Sequence, residues 1–161
     1  MDLWFLVTQL GLAEGWAAIS VGMVVTYIIL RYSSWRKPSD HRRLFKTVTV
    51  MLTLTLILTF VSVRVIKVSV HVPRPCTPCS LGNGSECNPY CLDDLSFPSG
   101  HSATIFAVCT VAYLLLRRRA GALLYLPAAL VAYSRLALGV HTIAAVSYTH
   151  LRAHETSLHL V

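Results

Sequence analysis

Seven residues of this 161-residue chain, in three stretches, carry groups suited to holding and attacking an anion. The densest stretch is Phe97-Pro98-Ser99-Gly100-His101, just before an apolar run that begins at Ser102. Ser99 is placed to cap a helix, and Gly100 lets a ligand approach the backbone. The first free amides and the positive end of the helix dipole then face whatever binds there. His101 adds a proton donor that titrates near neutral pH. By itself a Pro-Ser-Gly turn before a helix is usually only a turn.

The other four residues give that turn partners. Lys67 ends one apolar run, and Arg74 follows seven residues later inside Pro73-Arg74-Pro75. Arg135 lies near the end of another run, with Gly139 one helical turn on and His141 after it. Brought to one face, three cations, a helix N-terminus and two histidines can bind a phosphate and transfer it. Lys and Arg supply charge and directional donors to nonbridging oxygens. One histidine can attack phosphorus while the other protonates the leaving oxygen. Each residue alone has a plainer reading: Lys67 and Arg74 against lipid headgroups, Arg135 snorkelling, His141 satisfied at a helix end. Joint placement on one side favours the site.

That placement depends on the elements. The chain is 55% hydrophobic and 13% charged, with a mean hydropathy of +0.60, which points to one integral membrane domain. Its net charge of +7 does not mark a nucleic-acid partner. Nine of the 14 Lys and Arg fall in two clusters between apolar runs, Arg31 to Lys46 and Arg117 to Arg119. Basic clusters of this kind anchor loops on the cytoplasmic side, and no aromatic residues interleave with them as base-reading surfaces require. Asp2 to Glu14 reads as a short half-buried interfacial helix, without the basic start or cleavage site of a signal peptide. Spanning helices are expected at Trp16 to Tyr32, Thr47 to Ile66, Ser102 to Leu116 and Ala120 to about Leu138. The fold class is therefore an all-α polytopic membrane helix bundle of about four spans. The basic loops put the Lys67–His101 region and the Arg135–His141 end outside the cell membrane, on the extracytoplasmic face.

The long outer connection holds Cys76, Cys79, Cys87 and Cys91. A zinc half-site is conceivable for Cys-x-x-Cys, but an oxidising compartment favours two disulfides, with the pairing left open among three connectivities. Asn83-Gly84-Ser85 is a glycosylation triplet on the same loop. Cys109 sits mid-span as a packing residue. No metal site is expected.

The three stretches also resemble a known family. Lys67, six residues, then Arg74-Pro75 is similar to the first signature of the type 2 phosphatidic acid phosphatases. Pro98-Ser99-Gly100-His101 matches the second, and Ser134-Arg135-Leu136-Ala137-Leu138-Gly139-Val140-His141 most of the third. The superfamily also holds soluble bacterial acid phosphatases and vanadium haloperoxidases. The resemblance, over roughly Leu3 to His141, implies that His141 is the nucleophile and forms a phosphohistidine. It implies that His101 is the general acid, and that Lys67, Arg74, Ser99, Gly100 and Arg135 bind the substrate phosphate. It implies no cofactor. The implied substrates are lipid phosphates or diphosphates: polyprenyl diphosphate, phosphatidate or phosphatidylglycerol phosphate.

One departure stands out. The family pattern places an aspartate four residues after the nucleophile, and this chain has Ala145. Such a carboxylate would fix the histidine tautomer and stabilise its cation, so activity is expected to be low without it. From Val146 onward the composition breaks, and the family's last spanning helix is missing. The expected division is a membrane phosphatase domain over 1–145, incomplete at its C-terminus, and a non-native tail over 146–161. His150 and His154 in that tail are spaced like a helical metal pair but lack a third ligand. Two other classes stay open: a catalytically inactive lipid-phosphate binder or membrane scaffold, and a vanadate-dependent haloperoxidase, which the apolar spans disfavour.

Overall fold

The computed structural model describes residues 3–32, 40–79, 87–116 and 123–148. The described chain is all-helical. A short helix α1 (Leu3–Thr8) runs into a 3-10 turn (Gln9–Gly11). Two long helices follow, α2 (Ala13–Tyr32) and α3 (Asp40–Val70), then α4 (Gly100–Leu116) and α5 (Tyr125–Ala137). Residues 143–148 form a last helical stretch. The triplet at Asn83, Arg117 to Arg119, and the tail histidines His150 and His154 lie outside the described residues.

α2 and α3 are long and apolar enough to cross a membrane. Their apolar side chains point outward: Val21, Ile29, Leu58 and Val68 are 63%, 61%, 61% and 66% exposed. In a soluble core helix these residues would be covered; here the bundle leaves them for lipid. α3 is 31 residues long, against the 20 expected from Thr47 to Ile66, because the helix continues through polar residues at both ends. That places Lys67 inside its last turn rather than beyond it. α4 and α5, at 17 and 13 residues, are shorter than a full crossing, and α5 starts at Tyr125 with Pro127 in its first turn, where a proline costs no helical hydrogen bond.

α3 packs against both α2 and α4, and α5 packs against α4. The core lies between α4 and α5, where Ile105, Phe106 and Cys109 meet Ala128, Val131 and Ala132, joined by Val146. The buried positions of α5 recur at helical spacing and include the polar Ser134 and Arg135. The leading segment packs on this core. α1 lies along α5, with Trp4 edge-on to Tyr133 at 5.1 Å and Phe5 beside Tyr90 at 5.2 Å. The 3-10 turn lies on α4 so closely that a Cβ on Gly11 would stand 2.8 Å from both the His101 carbonyl oxygen and the Val131 side chain. Only glycine fits at that crossing.

Candidate active site

The site forms where the C-terminal end of α3, the disulfide loop and the turn after α5 converge on the start of α4. At the end of α3 the chain turns at His71, whose φ is 49° and whose amide donates to the Lys67 carbonyl at 3.1 Å. Pro73 and Pro75 then keep the backbone around Arg74 from continuing the helix. The loop closes through disulfides Cys76–Cys91 and Cys79–Cys87. Returning toward α4, the Ser96 amide donates to the Val72 carbonyl at 2.8 Å. That register brings Asp94 beside Arg74.

Arg74 is held by backbone. Its Nε donates to the Asp94 carbonyl at 3.0 Å and its Nη1 to the Val140 carbonyl at 3.3 Å. Its Nη2 stands 3.7 Å from Asp94 Oδ2, and Lys67 Nζ donates to the same carboxylate oxygen. Burial pulls the Arg74 pKa down and Asp94 opposes this. Burial raises the pKa of Asp94, but the Lys67 hydrogen bond, the Leu95 amide and the two cationic charges outweigh it, so the carboxyl titrates below its usual range.

Ser99 precedes α4 directly. Its carbonyl accepts the Ala103 amide at 3.0 Å, its hydroxyl accepts from Ser102 at 3.1 Å, and its own amide donates to the Ala145 carbonyl at 3.1 Å. The Phe97–Pro98 peptide is cis.

Arg135 is 4% exposed in the last turn of α5. Nη1 donates to the Thr8 hydroxyl at 3.0 Å, across 127 residues of chain. Its buried Nε has no hydrogen-bond partner among the described residues. An unpaired buried guanidinium donor is costly, and an anion would remove that cost.

His141 is delivered by a glycine turn. Gly139 has φ 66°, its amide donates to the Leu136 carbonyl at 2.9 Å, and the Val140 amide donates to the Arg135 carbonyl at 3.2 Å. These two bonds make a Schellman cap, which only a left-handed residue at the Gly139 position completes. Asn88 of the disulfide loop locks the turn by donating to the Leu138 carbonyl at 2.7 Å. His141 Nδ1 lies 2.7 Å from the Ser96 carbonyl oxygen, with Ser96 Oγ at 3.5 Å. A carbonyl only accepts, so the proton sits on Nδ1 and Nε2 carries a free lone pair. Burial, then the charges of Arg74 and Arg135, push the His141 pKa down to about 3. The imidazole is neutral at physiological pH.

Lys67, Arg74, Gly100, His101 and His141 line one cavity of 570 Å³. Asp94 shares that polar end, and the remainder is lined largely by α2 and α3 through Ala17, Val21, Leu56, Ile57, Phe60 and Val63. Ser99 and Arg135 are buried and do not line the cavity. Cys109 is buried and reduced, its thiol donating to the Leu124 carbonyl at 3.0 Å. Among the described residues no group of three His, Cys, Asp or Glu is arranged to hold a metal ion.

Three contributors were not read from sequence: Asp94, Ser96 and Thr8. Asp93-Asp94 stands between the Lys67–Arg74 stretch and Pro98–His101, and that juxtaposition is the available signal for Asp94. Ser96 acts through its carbonyl, which no residue type reveals. Thr8 bonds a residue at the far end of the chain. Ala145, in the position where a carboxylate was expected, is fully buried. Its amide donates to the Thr142 hydroxyl at 3.3 Å, which caps the 143–148 stretch.

Searches among curated proteins and among solved structures return no match. A family model described as the PAP2 superfamily matches residues 47–149, more than half of the chain. The matched region contains all seven candidate residues and leaves out α1 and α2. By that match and by its all-helical architecture the chain belongs to the PAP2 superfamily, with the family's phosphatase-type activity on phosphate esters.

Proposed function

We propose that this protein hydrolyses a lipid phosphate or diphosphate, of the class of polyprenyl diphosphate, phosphatidate or phosphatidylglycerol phosphate, at the extracytoplasmic face of the membrane. The observation that carries the reading is the form of the cavity. Lys67, Arg74, His101 and His141 line its polar part, and its other walls are mostly apolar, formed largely by α2 and α3, with Glu14 and Arg64 also on them. A molecule with an anionic head and a hydrocarbon body satisfies both parts; a free phosphate ester leaves the apolar part wet. The orientation is supported by the basic clusters between spans and by two disulfides in the loop that bears the site.

In this reading Lys67 and Arg74 hold the phosphate oxygens with the Gly100 amide at the head of α4, and Arg135 and Ser99, buried outside the cavity, would complete the set as the phosphate enters. His141 Nε2 attacks phosphorus and the ester P–O bond breaks. His101 delivers a proton to the departing oxygen. Water then attacks the phosphohistidine and gives its proton to His101. Inorganic phosphate leaves, and both histidines return to their starting states.

The test is release of phosphate from these lipids in detergent, compared with His141→Asn. The variant is expected to lose turnover by about 10³-fold or more, and rapid acid-free quenching should trap phosphate on the wild-type protein alone. Equal activity in the two would refute the mechanism. One observation favours a second reading, a lipid-phosphate binder without turnover: Ala145 offers no carboxylate to support the charged form of His141. That protein would bind the lipids through Lys67, Arg74 and Arg135 yet release no phosphate.

A further inference from the structure

An anion of the protein itself stands where the proposed substrate phosphate would bind. Lys67 Nζ donates to Asp94 Oδ2, and Arg74 Nη2 faces the same oxygen at 3.7 Å. Among the described residues Asp94 Oδ1 accepts a local bond, from the Leu95 amide at 2.7 Å. Its side chain is 41% exposed, whereas those of Lys67 and Arg74 are 10% and 5% exposed. The cations are largely buried, and the carboxylate is the more exposed partner.

Asp94 is not needed to aim Arg74. The guanidinium is oriented by two backbone carbonyls, those of Asp94 and Val140, and neither bond involves the carboxylate. What the carboxylate does is satisfy Lys67 and screen Arg74. A phosphate needs those same two donors. Both anions present oxygens to the same cations, and two anions cannot share them at hydrogen-bond distance without strong repulsion.

We propose that the Asp94 carboxylate is an internal anion that occupies the phosphate subsite in the absence of substrate, and that substrate binds by displacing it from Lys67 and Arg74. The inference rests on the reading of Lys67 and Arg74 as phosphate ligands. Displacement subtracts from phosphate affinity and helps expel the inorganic phosphate product, because the carboxylate returns as the product leaves. It also excludes weakly charged anions that cannot outcompete a carboxylate. Asp94 is thus a specificity-determining residue that acts through competition.

The test is orthophosphate binding at constant ionic strength, read as the concentration that gives half of the maximal rise in melting temperature. This readout needs no turnover. Asp94→Asn is expected to lower the half-maximal concentration by about tenfold, the scale of one charge-assisted hydrogen bond. Asp93→Asn, which removes the same charge from the neighbouring residue, is expected to match wild type. An unchanged or raised concentration in Asp94→Asn overturns the proposal. Asp94→Ser, smaller and also uncharged, gives the same reading should the Asn variant not fold. Lys67→Ala separates the two levels: if wild type responds to phosphate and Lys67→Ala does not, while Asp94→Asn equals wild type, only the displacement is wrong. If wild type shows no phosphate response at all, the phosphate site itself is wrong and the displacement falls with it.

Discussion

At the scale of residues, the histidine proposed to attack phosphorus is oriented by a backbone carbonyl instead of a carboxylate. The Ser96 carbonyl, 2.7 Å from His141 Nδ1, selects the tautomer with Nε2 free. It carries only a partial charge, so it cannot offset burial and two arginines, and the pKa falls to about 3. Two consequences follow. Between the ordinary histidine pKa of 6.5 and about 3, the unfolded chain takes up a proton that the folded chain refuses. Stability from this group is complete above that window and is lost as pH falls through it. The catalytic counterpart is that protonation of His141 does not set the acid limb of kcat/KM in the near-neutral range. Ala145→Asp should change both, since a carboxylate beside His141 raises its pKa and stabilises the cation that forms on attack. We expect kcat/KM to rise by at least about tenfold and its acid limb to move to higher pH, measured as a pH profile. A lower melting temperature with an unmoved limb would mean that the new carboxylate does not reach His141.

Thr8 makes a second residue-scale prediction. It is 2% exposed and is the side-chain acceptor for Arg135 among the described residues. Thr8→Val keeps the shape and removes the acceptor. KM should rise about tenfold, the worth of a hydrogen bond to a charged group, with kcat changed less, and Thr8→Ser should restore it. A purely packing role would give a lower melting temperature with no such split.

At the scale of elements, the disulfide loop is the frame of the site. Cys76–Cys91 closes a 15-residue separation whose two ends carry Arg74 and Asp94, and Asn88 ties the same loop to the turn that delivers His141. Cross-linking a loop of this length stabilises by about 3 kcal/mol in the chain-entropy account. Reduction should therefore lower the melting temperature and also weaken phosphate binding, because both faces of the site hang from the loop. Thermal denaturation with and without reductant, repeated with Cys76→Ser/Cys91→Ser, checks this. The leading segment is the other framing element. The sequence predicts an interfacial helix there; the structure shows the segment packed as a wall, with Gly11 seated against the backbone of His101 and Thr8 against Arg135.

At the scale of the molecule, the outward-facing apolar sides of α2 and α3 and the apolar part of the cavity belong to one design. The long helices that are apolar enough to cross a membrane are the same ones that line the cavity beside its cationic part. Substrate of the proposed kind would reach the site along a surface already in contact with lipid.

The residues alone were enough for the helical membrane class and for the three motifs. Hydrophobic runs of spanning length leave few folds open in a bilayer, and cations and histidines at span ends are too costly there to be incidental. Length, composition and short-range spacing carry that information. The partners were decided only in three dimensions. His141 meets Ser96 across 45 residues, Arg135 meets Thr8 across 127, and Lys67 meets Asp94 across 27. The cysteine pairing, open among three connectivities, became Cys76–Cys91 and Cys79–Cys87 in the same way. Hydrogen bonds and disulfides require contact at a few ångströms, and which distant groups reach contact is set by helix packing and by the Gly139 turn. Local pattern holds no trace of that.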